Sequence, residues 1–207
     1  MIRLASAFAE NAIATSATLQ ALLVRLYRME PEALAHAQRV ALLSVRIGEE
    51  LGLAARLLDD LERAAWLHDV GRIAIPDIPG ADPEALDGDA DRHRGEQVRA
   101  VHTITRGAPF LHPAADIVAA SREYFDGTGV PTGLRGVAIP FGARILHVAD
   151  VYDALTTLCT SLAFTTESVN VELVRHAGSR FDPDIVAAWL RCSENAPPEL
   201  IHWLASR

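Results

Sequence analysis

Apolar residues in this chain recur at helical spacing between proline and glycine breaks, and no stretch alternates long enough to build a sheet. The clearest case opens at Pro31, which suits a first helical position, and closes at Gly52, which suits the residue after a helix end. Within it Val40, Leu43, Ser44, Ile47 and Leu51 fall on one face; His36 extends that stripe by a turn and Glu32 sits a further turn below. A second helix is expected from about Leu57 to Val70, with Leu57, Leu61, Ala64, Ala65 and His68 inward and Gly71 ending it. Further helices are expected over about 5–29, 92–106, 113–124 and 141–158, and three shorter ones over 166–178, 182–192 and 197–206. The segments 73–91 and 126–140 are dense in Pro, Gly and Asp and read as loops. The fold class that follows is all-α.

Composition supports this and removes several functions. Aromatic residues are 6% of the 207 while Ala and Leu abound, favouring packed helices over sandwiched sheets. A formal charge of −8 disfavours nucleic acid as a partner, because phosphate backbones need clustered Lys and Arg. Cys159 and Cys192 stand far apart, in no disulfide or zinc pattern, and a reducing cytoplasm fits them. The first residues are too polar for a secretory signal, and no apolar run is long enough to cross a bilayer.

The chemistry concentrates in three places. Trp66-Leu67-His68-Asp69-Val70-Gly71-Arg72 sets a His and an Asp side by side at the inner end of an apolar helix. Unpaired, such groups are costly there, so they hydrogen-bond or hold a cation. The helix containing "HVADVYDAL" places Asp150 and Asp153 one turn apart among apolar residues, one of them a candidate ligand and the other a candidate brace. His36 supplies the third element. An imidazole and carboxylate set of this kind suits Zn, Mn or Fe(II) better than calcium.

The order His36, His68-Asp69, Asp150 resembles the ligand set of the HD superfamily of metal-dependent phosphohydrolases. "LHDVGRIAIPD" is similar to the "HDIGK-x-x-IPD" segment of the HD-GYP subfamily, and "FDGTGVPTGLRGVAIPFGARILHVADVYDALTT" to its "WDGSGYP" stretch running into "VAD-x-x-DALT". "GSRFDPDIVAAWL" resembles the subfamily's closing "G-x-x-FDP-x-x-V" helix. The resemblance spans about Pro31 to Leu190. It implies an all-helical HD-domain bundle over 30–207, with 1–29 as an N-terminal helical extension, and hydrolysis of cyclic di-GMP at a centre of two or three metals. It places Glu32, His36, His68, Asp69, His93 and Asp150 at ligand positions, Asp69 as the bridge between metals.

Departures from the pattern are specific. The subfamily's paired histidines before its glycine-rich loop are Ser121 and Arg122, its tyrosine is Val130, the Lys after the His-Asp pair is Arg72, and an arginine facing the substrate phosphate is Cys159. Four ligands, His36, His68, Asp69 and Asp150, remain for one divalent transition metal, Fe, Mn or Zn. Two functions follow from different classes. One is a phosphohydrolase with a degenerate site and weak or altered activity on a cyclic dinucleotide or other phosphoester, in which Asp69 is ligand and proton acceptor while Arg72 and Arg122 hold phosphate. The other is an inactive module that senses a nucleotide or docks a signalling protein in bacterial signalling.

Overall fold

The computed structural model describes residues 17–77, 88–158 and 165–193. These form eight α-helices: α1 (Ala17–Met29), α2 (Ala33–Glu50), α3 (Ala55–Leu67), α4 (Gly88–Thr105), α5 (His112–Ala119), α6 (Phe141–Leu158), α7 (Thr166–Arg175) and α8 (Pro183–Cys192). Three short 3₁₀ turns, Val70–Ile73, Pro109–Leu111 and Gly136–Ala138, join them. Among the described residues there is no strand, only an isolated bridge between Ala177 and Phe181. The expected all-α architecture is therefore the observed one. Cys159, the expected helix over 197–206 and most of the loop over 73–91 lie outside the described residues.

Helices α2 and α6 form the centre. α2 packs on α3, α6 and α8; α6 packs also on α3, α5, α7 and α8. From Ile145 to Val151 every residue of α6 is buried, so its polar groups have little access to water and need partners inside the protein. One apolar cluster includes Leu19, Leu23 and Leu26 of α1 together with Val40, Leu61, Trp66, Leu146 and Trp189.

Several helix limits differ from the sequence expectations, each for a physical reason. The buried face of α2 is Ala33, Ala37, Val40, Ala41, Ser44, Ile47 and Gly48, so Leu43 and Leu51 sit at its margin, half-buried. Close packing on α3 selects the small residues: a Cβ on Gly48 would fall 2.7 Å from Leu58 Cδ2. On α3 it is Leu58 that reaches this contact, and Leu57 is 53% exposed rather than inward. α2 ends as expected at Gly52, whose φ of 70° lets its N–H bond Glu49 O while the Leu53 N–H bonds Gly48 O.

Helix α3 stops at Leu67, not at Val70, because the chain tightens into the 3₁₀ turn directly after His68 and Asp69. Gly71 is needed for proximity, since a Cβ there would land on the Gln97 carbonyl of α4. Helix α5 ends at Ala119, short of residue 124. The Ser121 N–H and hydroxyl both turn back to Val118 O, closing the helix in i→i−3 bonds.

Candidate metal centre

The end of α3 explains how adjacent residues 68 and 69 reach one point. His68 keeps helical backbone angles while Asp69 is already leaving the helix at φ −99° and ψ −4°. Across from them, α2 contributes His36 and α6 contributes Asp150. His36 Nε2 lies 3.0 Å from His68 Nε2, 3.2 Å from Asp150 Oδ1 and 3.9 Å from Asp69 Oδ2. His68 Nε2 lies 3.5 Å from both Asp69 Oδ2 and Asp150 Oδ1.

The outward nitrogens settle what those inward nitrogens carry. His68 Nδ1 is 2.7 Å from Ala65 O, which can only accept, so Nδ1 bears the hydrogen. His36 Nδ1 is 2.7 Å from Asp153 Oδ2, and Asp153 is held ionised against the cost of burial by His36 and Arg39, so this nitrogen also donates. Two Nε2 lone pairs consequently face each other at 3.0 Å. That arrangement needs a positive particle between them, either a proton or a metal cation.

Without a metal the particle is a proton. Burial opposes it, but hydrogen bonds to Asp150 and Asp153 and the charges of Asp150 and Asp69 prevail, raising the His36 pKa from 6.5 to about 10. His68 is raised as well, burial being outweighed by Asp69 and Asp150. Asp69 is lowered against burial by His68 and Arg72; Asp150 is lowered well below the carboxylate range against burial by Arg122 and both histidines.

These donors fit a transition-metal ion. Nitrogen and oxygen ligands at about 2.1 Å from one cation lie about 3.0 to 3.5 Å from each other. All but the 3.9 Å between His36 Nε2 and Asp69 Oδ2 fall in that range; His36, His68 and Asp69 offer three donors mutually within 4.8 Å, and Asp150 approaches the group from the side of the two histidines. Around the cluster, the carboxylates of Glu30, Asp69, Asp77, Asp150 and Asp153 meet the guanidiniums of Arg39, Arg72 and Arg122.

Of the other sequence candidates, Glu32 and His93 lie outside the cluster, whereas Arg72 and Arg122 border it through Asp69 and Asp150. Glu32 is exposed at the start of α2 and makes no cap hydrogen bond. His93 points its Nε2 at Pro76 O, 3.0 Å away, outside the cluster. His147 is buried, its Nδ1–H donating to Glu123 O and its Nε2 accepting from Arg180; burial first, then Arg180 and Arg122, lower its pKa to about 3. Arg72 is engaged by Asp69 at 3.3 Å, Glu30 at 2.6 Å and Asp77, so its guanidinium braces Asp69 and the turn. Ser121 is buried on Val118 O. Arg122 Nη1 pairs with Asp150 Oδ2 at 3.0 Å, leaving Oδ1 for the histidines.

The loop after Arg122 is tied to the same place. Glu123, 3% exposed, accepts from Thr132 N–H and hydroxyl and from the Gly133 and Leu134 N–H groups. Val130 N–H donates to Arg122 O, and a Cβ on Gly129 would overlap the Tyr124 backbone nitrogen. Sequence reasoning gave no role at the site to Glu30 or Arg39. The signal for Arg39 was present, one turn from His36 on the same face.

The pattern of the HD domain family matches residues 22–185. The chain belongs to the HD domain family. It is 36% identical over 157 residues to 3'3'-cGAMP-specific phosphodiesterase 2 of Vibrio cholerae, covering 73% of this chain and 30% of that protein. It is also 36% identical over 157 residues to the cyclic di-GMP phosphodiesterase response regulator RpfG of Xanthomonas campestris, covering 74% of this chain and 42% of the relative. The HD chain thus spans under half the length of these relatives. Among solved structures, a cyclic GMP-AMP specific phosphodiesterase of V. cholerae shares the fold with a TM-score of 0.63 at 20% identity, over 82% of this chain and 45% of the other. An HDG"Y"P protein of Bdellovibrio bacteriovorus shares the fold with a TM-score of 0.62 at 19% identity, over 76% of this chain and 51% of the other. Among the described residues, no helix of this HD domain is long and apolar enough to cross a membrane.

Proposed function

We propose that this HD domain is a phosphohydrolase of cyclic dinucleotides working with one divalent transition metal at a degenerate HD-GYP site. The observation that carries it is the 3.0 Å approach of His36 Nε2 to His68 Nε2, with both Nδ1 atoms bonded to acceptors elsewhere, beside the Asp69 and Asp150 carboxylates. His36, His68, Asp69 and Asp150 hold the ion. When bound, such a metal polarises a phosphoryl oxygen and acidifies water. Asp69, ionised and braced by Arg72, orients the attacking water and accepts its hydrogen bond. Arg122 places a fixed positive charge beside Asp150, where it opposes a second cation and holds a non-bridging phosphate oxygen of the substrate. The relatives' printed activities on cyclic di-GMP and 3'3'-cGAMP support the substrate class. The charge of −8 supports a small ligand over nucleic acid.

The test joins metal counting to turnover. Protein equilibrated with Mn²⁺, Fe²⁺ or Zn²⁺ and freed of excess ion should retain one metal per chain and cleave cyclic di-GMP or 3'3'-cGAMP slowly. His68→Ala should abolish both. A wild-type chain that retains no metal overturns the reading. The second reading, an inactive sensing or docking module in bacterial signalling, is favoured by Arg122 and Ser121 standing where two ligands are expected. Nucleotide binding without turnover by metal-loaded protein would select it.

A further inference from the structure

We propose that Asp153, held by Arg39, is the positioning residue of His36, holding its Nδ1–H and thereby aiming Nε2 at His68, Asp69 and Asp150. The metal consequence rests on the function proposed above; the Nδ1–H bond to Asp153 does not.

Three observations carry the assignment. Asp153 has a side chain only 4% exposed, so its carboxylate is not a solvated surface charge. Both its oxygens are used: Oδ1 accepts from Arg39 Nε at 2.7 Å, and Oδ2 accepts from Arg39 Nη2 at 3.0 Å and from His36 Nδ1–H at 2.7 Å. The arginine fork fixes the plane of the carboxylate, and the carboxylate in turn fixes the ring.

Register makes the clamp possible. Arg39 lies one turn beyond His36 on α2, and Asp153 one turn beyond Asp150 on α6, so the two helices meet at two levels. Asp150 faces His36 Nε2 at one, and Asp153 receives Nδ1–H and Arg39 at the other. Arg39 balances the charge of Asp153, so the clamp orients His36 without adding to the charge that attracts the ion. His68 is oriented by a backbone carbonyl instead. The ring of His36 is therefore the one whose aim depends on side chains.

The experiment uses the whole chain in two measurements. Side-chain ¹H–¹⁵N spectra, with His36→Gln to assign the signal, follow the slowly exchanging His36 Nδ1–H in metal-free and Zn²⁺-loaded protein. Competition with a chromophoric chelator gives Zn²⁺ affinity. Asp153→Ala should erase the resonance and weaken Zn²⁺ binding about 10- to 100-fold. Asp153→Asn keeps shape and one acceptor but no charge, so it should retain a weakened resonance with an intermediate affinity; it also serves if the alanine variant does not fold. Arg39→Ala should preserve the resonance with faster exchange. An Nδ1–H signal and a Zn²⁺ affinity unchanged in both Asp153 variants overturn the proposal, as does absence of the signal from wild type. If wild type binds no Zn²⁺, the metal reading fails and the resonance alone decides: present in wild type and lost in Asp153→Ala supports the clamp, present in both overturns it.

Discussion

At the residue scale, the proton that His36 carries in the metal-free protein must leave before a cation enters. With a pKa of about 10 this group is protonated throughout the neutral range. Metal affinity should therefore rise about tenfold per pH unit between pH 6 and 9, with close to one proton released per ion; calorimetry in buffers of different ionisation enthalpy reads both. Stability of the metal-free protein runs the other way. A folded pKa above the ordinary 6.5 contributes stability that is complete below pH 6.5 and is lost as pH rises through about 10. Chelated protein should melt progressively lower across that window. Arg122 supplies a second prediction: the double variant Ser121→His, Arg122→His removes a fixed cation beside Asp150 and adds two nitrogen donors, so elemental analysis should find more metal per chain than in wild type. The quartet itself was legible because imidazoles and carboxylates on apolar helix faces have few inexpensive explanations. Asp153 was left open between brace and ligand, since spacing along one helix does not say which carboxylate the facing helix will reach.

At the element scale, the site depends on where α3 stops. Extending the helix through Val70 would carry Asp69 on around the helix, away from His68; the helix end at Leu67 and the 3₁₀ turn after Asp69 prevent this. Gly71 secures that turn by letting α4 approach, so Gly71→Ala should force α4 away and cost about 2 kcal/mol or more, read by urea unfolding, with metal affinity falling in parallel. Sequence showed Gly71 as a helix terminator but not as a close approach, because its contact, Gln97, is remote in the chain. The same holds for Leu57 and Leu58. Periodicity marked a leucine face on α3, and only the nearness of Gly48 selects which leucine occupies it. Helix α6 was legible to within a residue, since a mainly apolar helix-forming stretch opening just after Pro140 and its turn-rich loop has one simple reading.

At the scale of the whole molecule, α1 is part of the common core. Leu23 is 1% exposed within the cluster that holds α2, α3 and α6, so Leu23→Ala should destabilise the protein by about 2 to 5 kcal/mol, measured by chemical denaturation. The overall class followed from helical periodicity and the family from three motifs, whereas the way α1 packs was invisible, its leucines resembling any amphipathic face. The four converging side chains come from α2, from the end of α3 and from α6. An ion seated among them would bind parts of the polypeptide that an unfolded chain holds far apart, acting as a reversible cross-link. Such a chain would be tougher toward proteases when metal is plentiful and softer when it is scarce. Its lifetime in a cell would then follow the supply of the ion.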